Sequence, residues 1–446
     1  MPRDMSRRAF LASGAVASLG ASAAAFDLPV LRWFGGKSKT VDPDRKMNIA
    51  CVGCGGKGSS DVDGVAGENI VGLCDVDFGR AAETFSRYPK AKRYKDFRIM
   101  LEDLGDEIDG VTISTPDHMH YPIAMMAMQM GKHVFVQKPC AHTVWEARMM
   151  TLAAKKYGVA TQMGNQGHAN TGTRMIYEWI RSGALGSVRE VHLYTDRPIW
   201  PQKLAVPTEK QAVPGNLDWN LFLGTAPLRP YHSAYHPFKW RGWWDFGCGA
   251  LGDMGCHIMD AAFWALDLGR SLEWVEAQSD APDADTTPTW SIVTYQFGWR
   301  GKMPPVKVVW YDGKKLPPRP RELEFNRDLP RDNGQVYYGD KACIMADCYA
   351  GSVRIFPEKK MREIGRPPQM LERVKHGHYR EWIDACKGGT PAGSNLVDHA
   401  GPLSEFVLLG NLAIRTGKRV HWDAASMTCR DLPEADRFIR HPYRLF

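Results

Sequence analysis

Three stretches of the 446-residue chain carry side chains that could do chemistry together. Gln137-Lys138-Pro139 sets a lysine in a turn stiffened by the proline after it. A lysine that is partly shielded and close to another positive charge holds its proton less tightly and can exchange it with a substrate. A solvated lysine or a phosphate contact is the alternative. Asp253-Met254-Gly255-Cys256-His257-Ile258-Met259-Asp260 places an acid and an imidazole four residues apart, so one helical turn brings them to one face, and Asp260 follows His257 by three. That pairing suits proton transfer at a hydroxyl. It also suits a helix cap at Asp253 and a helix-start hydrogen bond at His257. Asp-x-x-x-His alone offers too few ligands for a metal, and no metal is expected. The third stretch is Gly53-Cys54-Gly55-Gly56-Lys57-Gly58, a G-x-G-x-x-G turn. Gly53 permits the tight turn, Gly55 lets backbone approach a pyrophosphate, and Gly58 lets a helix pack close on its strand. That helix start offers free N–H groups to phosphates.

These residues need a sheet to hold them. Ile49 to Val52 is an apolar run entering the glycine turn, and Ile70 to Cys74 is a second run delivering Asp75 about 20 residues beyond it. A carboxylate there can accept hydrogen bonds from a ribose diol and would repel a 2′-phosphate, which favours NAD over NADP. Strands at 110–115, 133–136 and 160–163 alternate with helices at 80–87, 97–104, 121–130 and 144–157. This predicts a doubly wound parallel sheet over residues 47–166, with Gly53, Asp75, Thr115, Lys138 and Asn165 at the strand ends around one crevice. Residues 167–446 change pattern. Helices are expected at 173–182, 255–266, 378–386 and 402–417. Strands at 188–195, 274–278, 290–297, 306–311, 335–338, 343–347 and 352–356 come largely in succession, so a mostly antiparallel sheet follows. Residues 314–332, rich in Pro and Arg, read as a surface loop.

Composition narrows the class. The formal charge is +7, but residues 1–46 hold eight Lys/Arg against four Asp, so only +3 belongs to the rest. That excess is too small for a nucleic-acid footprint. No apolar run is long enough for a membrane span in the mature chain. Ser6-Arg7-Arg8-Ala9-Phe10-Leu11, followed by an Ala-, Gly- and Ser-rich stretch, reads as a Tat-type export signal with small-residue cleavage sites near Ala21 to Ala25, and 1–46 as signal plus linker. An uncleaved anchor is the alternative. Ten cysteines show no disulfide framework. Cys51-x-x-Cys54 has redox or zinc spacing but lies in the strand and turn, where small-residue packing is expected. His118-x-His120 would need a third ligand to bind metal.

As an ordered set, Gly53-x-Gly55-x-x-Gly58, Asp75, Thr115-Pro116-Asp117-His118-Met119-His120, Gln137-Lys138-Pro139 and Gly249 to Asp260 resemble the Gfo/Idh/MocA oxidoreductases. The resemblance implies an N-terminal Rossmann domain and a C-terminal α/β domain with an open, mostly antiparallel sheet. It implies hydride exchange between NAD and a sugar, polyol or glycoside hydroxyl. It carries the catalytic lysine to Lys138, the substrate-holding aspartate to Asp253 and the proton-relaying histidine to His257. It places Gly53, Gly55, Gly56, Lys57, Gly58, Asp75, Ser114, Thr115, Pro116, His120, Gln137, Lys138 and Asn165 beside the cofactor. The family's common Glu-Lys-Pro is Gln-Lys-Pro here, which removes a negative charge beside the lysine. Thr-Pro-Asp stands where Thr-Pro-Asn is common. Gly393 to Asn395 and Asp398 to Pro402 look like the exported branch of the family. Trp200, Trp240, Trp243 and Trp244 flank the site in sequence. Indole faces bind sugar rings, and Trp243 and Trp244 are expected to touch substrate, with ordinary packing as the alternative. Free NAD is scarce outside the cytoplasm, so a tightly held, internally recycled cofactor is expected. A homo-oligomer would cover an open sheet face. Two other readings stand beside net redox chemistry: glycoside cleavage by transient oxidation and elimination, and glycan binding with a structural NAD.

Overall fold

In a computed structural model, residues 38, 40–280 and 283–446 are described. The twin-arginine stretch and its cleavage sites lie outside these residues. The first sheet contains β1 (Asn48–Val52), β2 (Asn69–Cys74), β3 (Lys92–Tyr94), β4 (Gly110–Ile113), β5 (His133–Val136) and β6 (Thr161–Met163). All pair in parallel, in the order β3-β2-β1-β4-β5-β6. Helices α1 (Lys57–Gly64), α2 (Phe78–Arg87), α3 (Phe97–Asp103), α4 (His120–Gln129) and α5 (Val144–Tyr157) form the crossovers. Local chemistry sets their ends. Asp77 caps α2 by accepting from Gly79 N and Arg80 N. Thr143 and Glu146 form a capping box on α5, which stops at left-handed Gly158. Strand order reverses between β1 and β4, and a crevice opens at the carboxyl ends of such a switch point.

After α6 (Thr171–Arg181), β7 (Val188–Thr195) starts a second sheet. It continues through β8 (Leu272–Ser279), β9 (Ser291–Phe297), β10 (Val306–Tyr311), β11 (Asn333–Gly339), β12 (Cys343–Asp347) and β13 (Val353–Phe356). The order is β13-β12-β11-β7-β10-β9-β8. The β7–β10 pair is parallel and the other five neighbours are antiparallel. Strand β9 alternates strictly between buried and half-buried positions, the mark of a sheet packed on one face. Leu323 and Leu329, from the Pro- and Arg-rich segment, pack against Tyr194, Val336, Met345 and Phe356. That segment therefore covers part of the sheet face expected to be open.

The helix expected at 255–266 is two helices, α7 (Gly249–Ile258) and α8 (Asp260–Ala265). Gly249 and Gly252 suggest a loop by propensity, yet packing overrides it. A Cβ on Gly252 would meet the Cys248 side chain at 2.1 Å, and one on Gly255 would meet Val407 at 2.8 Å. The small residues let α7 lie close to α10 (Gly401–Thr416). The late chain also returns to the first sheet. Trp382, on α9 (Gly377–Cys386), is fully buried among Met47, Ile49, Phe135 and Cys386. All ten cysteines are free and buried. Among the described residues no helix is long and apolar enough to cross a membrane.

Candidate active site

A crevice of about 350 Å³ runs along the carboxyl ends of β1, β2, β4 and β5, lined by the glycine turn, Asp75, Ser114 to Asp117, His120, Gln137, Lys138 and Asp253. The turn has no room for side chains. Gly53 has φ +80°, and a Cβ there would sit 2.6 Å from Ser114 O. One on Gly58 would sit 1.9 Å from Gly53 O, so helix α1 can start here only with a glycine. Asp75 holds the turn. Its Oδ2 accepts from Cys54 N at 2.7 Å and Gly55 N at 3.2 Å, and its Oδ1 from Asp77 N at 2.9 Å. Burial raises its pKa, against these bonds. The carboxylate keeps lone-pair capacity toward the crevice. Arg80 and Lys95 line the same end, two cations that sequence reading passed over. A glycine cradle at a helix start, an acid at the end of β2 and the buried, unpartnered Thr115 Oγ1 together fit a dinucleotide.

Across the crevice, Lys138 Nζ donates to Asp253 O at 2.8 Å and Oδ1 at 3.0 Å. Their side chains keep 15% and 16% exposure, shielded yet reachable. Arg241 Nε donates to the same Oδ1 at 3.3 Å, with its guanidinium 4.2 Å from the Trp240 ring centroid and 4.6 Å from that of Phe238. Burial pushes the Asp253 carboxyl up, but Lys138 and Arg241 outweigh it and hold it at about 2. Asp117 has the opposite balance. Burial raises it to about 7 in spite of Lys138 and Arg241. His120 ties the walls together, with Nδ1 2.8 Å from Pro139 O and Nε2 2.9 Å from Thr115 O.

Helix α7 carries Asp253 and His257 one turn apart, as their spacing implies. The His257 ring meets Tyr349 edge-on at 5.0 Å between centroids, with Nδ1 buried without a partner. Burial first, then Lys138, lowers its pKa to about 3, so it is neutral. Asp260 does not turn to His257. It starts α8, where its carboxylate meets His168 Nδ1 at 2.9 Å and His399 Nε2 at 2.5 Å. Asn165 joins that cluster by donating to Asp260 Oδ2 at 3.2 Å, and it does not line the crevice.

The tryptophans divide. Trp240 lines the crevice. Trp243 is fully buried, donating from Nε1 to Ala234 O at 2.8 Å. Trp244 packs into the main core and lines a smaller cavity with Arg415. Neither therefore reaches the crevice, because consecutive indoles after the Lys239–Gly242 turn point into two different cores. His118 faces Phe222 O at 3.0 Å with Nε2, while both nitrogens of His120 face other carbonyls, so the pair does not converge.

Asp61 on α1 gave no sequence signal. Its carboxylate is fully buried and accepts from Lys57 Nζ at 2.6 Å, Ser114 Oγ at 2.7 Å, Gln137 Nε2 at 2.9 and 3.1 Å and Tyr379 OH at 2.6 Å. It sets three crevice residues at once. It also explains Gln137, since a glutamate there would oppose a second carboxylate.

The chain matches the oxidoreductase family with NAD-binding Rossmann fold over residues 47–165. It matches that family's C-terminal alpha/beta domain over 170–303. It is 27% identical to the D-glucoside 3-dehydrogenase of Escherichia coli over 197 residues, 44% of this chain and 46% of that protein. It is 29% identical to the inositol 2-dehydrogenase of Salmonella typhimurium over 130 residues, 29% of this chain and 38% of that protein. The chain thus spans less than half the length of these curated relatives. The WlbA dehydrogenase of Bordetella pertussis, solved with NADH and UDP-GlcNAcA, superposes with a TM-score of 0.59 at 16% identity, covering 85% of this chain and 99% of that one. That likeness shows the fold alone. The two consecutive family matches, on a parallel sheet with a glycine cradle followed by a mixed sheet, place this chain in the Gfo/Idh/MocA oxidoreductase family, with an NAD-binding Rossmann domain and a C-terminal α/β domain.

Proposed function

We propose that this protein is an NAD-dependent oxidoreductase acting on a secondary hydroxyl of a sugar, polyol or glycoside. The observation that carries this reading is the Lys138–Asp253 pair on the same crevice as the glycine cradle. When bound there, NAD supplies a hydride acceptor. The turn at 53–58 and Asp75 hold its phosphate and ribose end. Ser114, Thr115, Pro116, His120 and Gln137 form the rest of its wall. Lys138 uses two hydrogens on Asp253 and keeps one for the substrate oxygen. Asp253 orients the ammonium, Arg241 anchors Asp253, and neutral His257 completes the polar surround. Trp240 offers an indole close to the crevice for a sugar face. The names of the two curated relatives, dehydrogenases of a glucoside and of inositol, support this substrate class.

The test is Lys138→Met with NAD supplied, against a panel of methyl glucosides and myo-inositol. NADH binding is expected to persist while turnover drops by about 10²–10⁴-fold. Undiminished turnover would refute the role of Lys138. The Arg7-Arg8 signature supports export with the cofactor already bound; replacing both by lysine is expected to keep the protein in the cytoplasmic fraction. The exposed Phe325, Leu316 and Trp299 support self-association, which sedimentation would register as a mass above one chain.

A further inference from the structure

A second concavity lies where the end of α10 meets residues 437–441. Its inner space, about 20 Å³, is lined by His142, Trp244 and Asn411 among others. Its outer space, about 400 Å³, is lined by Asp283, Ala284 and Arg437. Arg415, Phe438 and His441 line both, so the two spaces adjoin. None of these residues lines the crevice.

The chemistry of this concavity is one-sided. Arg415, in the last turn of α10, holds its guanidinium 5.0 Å from the Trp244 ring centroid and 4.0 Å from that of Phe438. Arg437 lies 4.5 Å from the same Phe438 centroid, so two cations share one ring. Among the described residues neither arginine makes a hydrogen bond or an ion pair. Ring contacts leave the N–H groups of a guanidinium without acceptors. Burial and then Arg437 lower the Arg415 pKa to about 10, with no carboxylate working against them. The His142 and His441 rings stand 5.6 Å apart, both held neutral by burial with Arg415 adding to it. The acid on the outer rim, Asp283, spends its Oδ1 on Asp285 N, Thr286 N and Thr286 Oγ1.

The floor carries an independent observation. Trp244 is 5% exposed, and its buried Nε1 has no partner. Asn411 is 7% exposed, and its buried Oδ1 has no partner either, while its Nδ2 donates to Cys248 O at 3.0 Å. Buried polar groups are normally paired. The C-terminus of α10 accounts for a cation at position 415. It accounts neither for the second cation beside it nor for the orphaned indole N–H.

We propose that this concavity is a binding site for a phosphate group, either free or as a monoester. Phosphate oxygens accept from the two guanidiniums, whose planar forks suit them, and from Trp244 Nε1. The O–H of a hydrogen phosphate serves Asn411 Oδ1. The site is separate from the crevice and holds whether or not the redox reading does.

The test is NMR of the full chain carrying isotope-labelled tryptophan, saturated with NAD so that the glycine cradle is filled. Sodium phosphate is titrated against sodium chloride of equal ionic strength, and Trp244→Phe identifies the Trp244 indole resonance. Phosphate is expected to move that resonance saturably, with a Kd of about 1 mM or tighter, and chloride to leave it in place. Arg437→Gln, at an exposed position, should weaken binding at least about tenfold with the melting temperature in chloride unchanged. Arg415→Gln should weaken it at least as much. Methyl phosphate separates the two sources. Saturation by methyl phosphate too supports a monoester site, and saturation by inorganic phosphate alone supports a site for the free ion. No saturable shift with either overturns the proposal. A shift of unchanged affinity in both arginine variants also overturns it and marks an adventitious ion only.

Discussion

At the scale of single residues, the site is governed by where negative charge sits. Asp253 stays ionised because two cations hold it, while Asp117, more deeply buried, is raised because the same cations are too weak a counterweight to burial. The charge missing from Gln137 is present one layer down, on Asp61. Gln137→Glu is therefore expected to set two carboxylates against each other and to lower the melting temperature and NAD affinity. Adding Asp61→Asn, which moves the charge without adding one, should recover most of both. Calorimetry and NADH fluorescence of the single and double variants check this, and a double variant no better than Gln137→Glu would show that the two positions are not coupled. Asp75→Ala removes the acceptor for Cys54 N and Gly55 N. Leaving those amides unpaired costs about 1–3 kcal/mol, and a loss of NADH affinity of at least about tenfold, or about 1.4 kcal/mol, is expected in a fluorescence titration.

At the scale of elements, glycines and caps decide how closely helix and strand meet. Gly58→Ala would press a methyl onto Gly53 O, so α1 must shift. A stability loss of about 1–3 kcal/mol with greatly weakened NADH binding is expected by denaturant titration. Gly67→Ala, where nothing lies within 4 Å, is the matched control and should leave both unchanged. Helix α7 shows the reach of spacing arguments. The four-residue step put Asp253 and His257 on one face, but the step to Asp260 crossed a helix boundary at Met259, and the acid turned to His168 and His399 instead. Periodicity holds only while the helix does.

At the scale of the molecule, buried and half-buried histidines dominate the response to acid. His118, His120, His378 and His441 are pushed down to about 4 and His257 to about 3, chiefly by burial, from an ordinary 6.5. Between about pH 4 and 6.5 the unfolded chain binds more protons at these five, so stability rises with pH there and is lost on acidification. Asp117 and Glu146, raised to about 7, and Asp312, raised to about 6, act oppositely. Their folded forms bind more protons, so their share of stability is lost as pH rises toward 7. With His142, His192, His236 and His399 lowered as well and Asp75 also raised, nine histidines against four carboxyls predict a melting temperature that falls from about pH 6.5 to about pH 4.5. A flat or rising profile in scanning calorimetry would contradict it. Trp382→Ala, which empties the contact between a late helix and the first sheet, should cost about 3–5 kcal/mol and weaken NADH binding along with it.

The parallel first sheet was legible along the chain because its strands are short apolar runs separated by helical periods, and β5, β7, β10, β12 and α5 fall on their expected bounds. The glycine turn and the acid after β2 were legible because their spacing is local and their steric demands are strict. Family membership followed from the same motifs taken in order. What the tertiary structure alone decided is which distant side chains share a wall. Asp61, Arg241 and the surroundings of Asp117 depend on contacts across 76, 12 and 131 residues. The expected places of Asn165, Trp243 and Trp244 gave way because residue type specifies a preference for burial or for hydrogen bonding but not a direction. Direction is set by how two sheets and the helices between them pack, and that is a property of the whole chain.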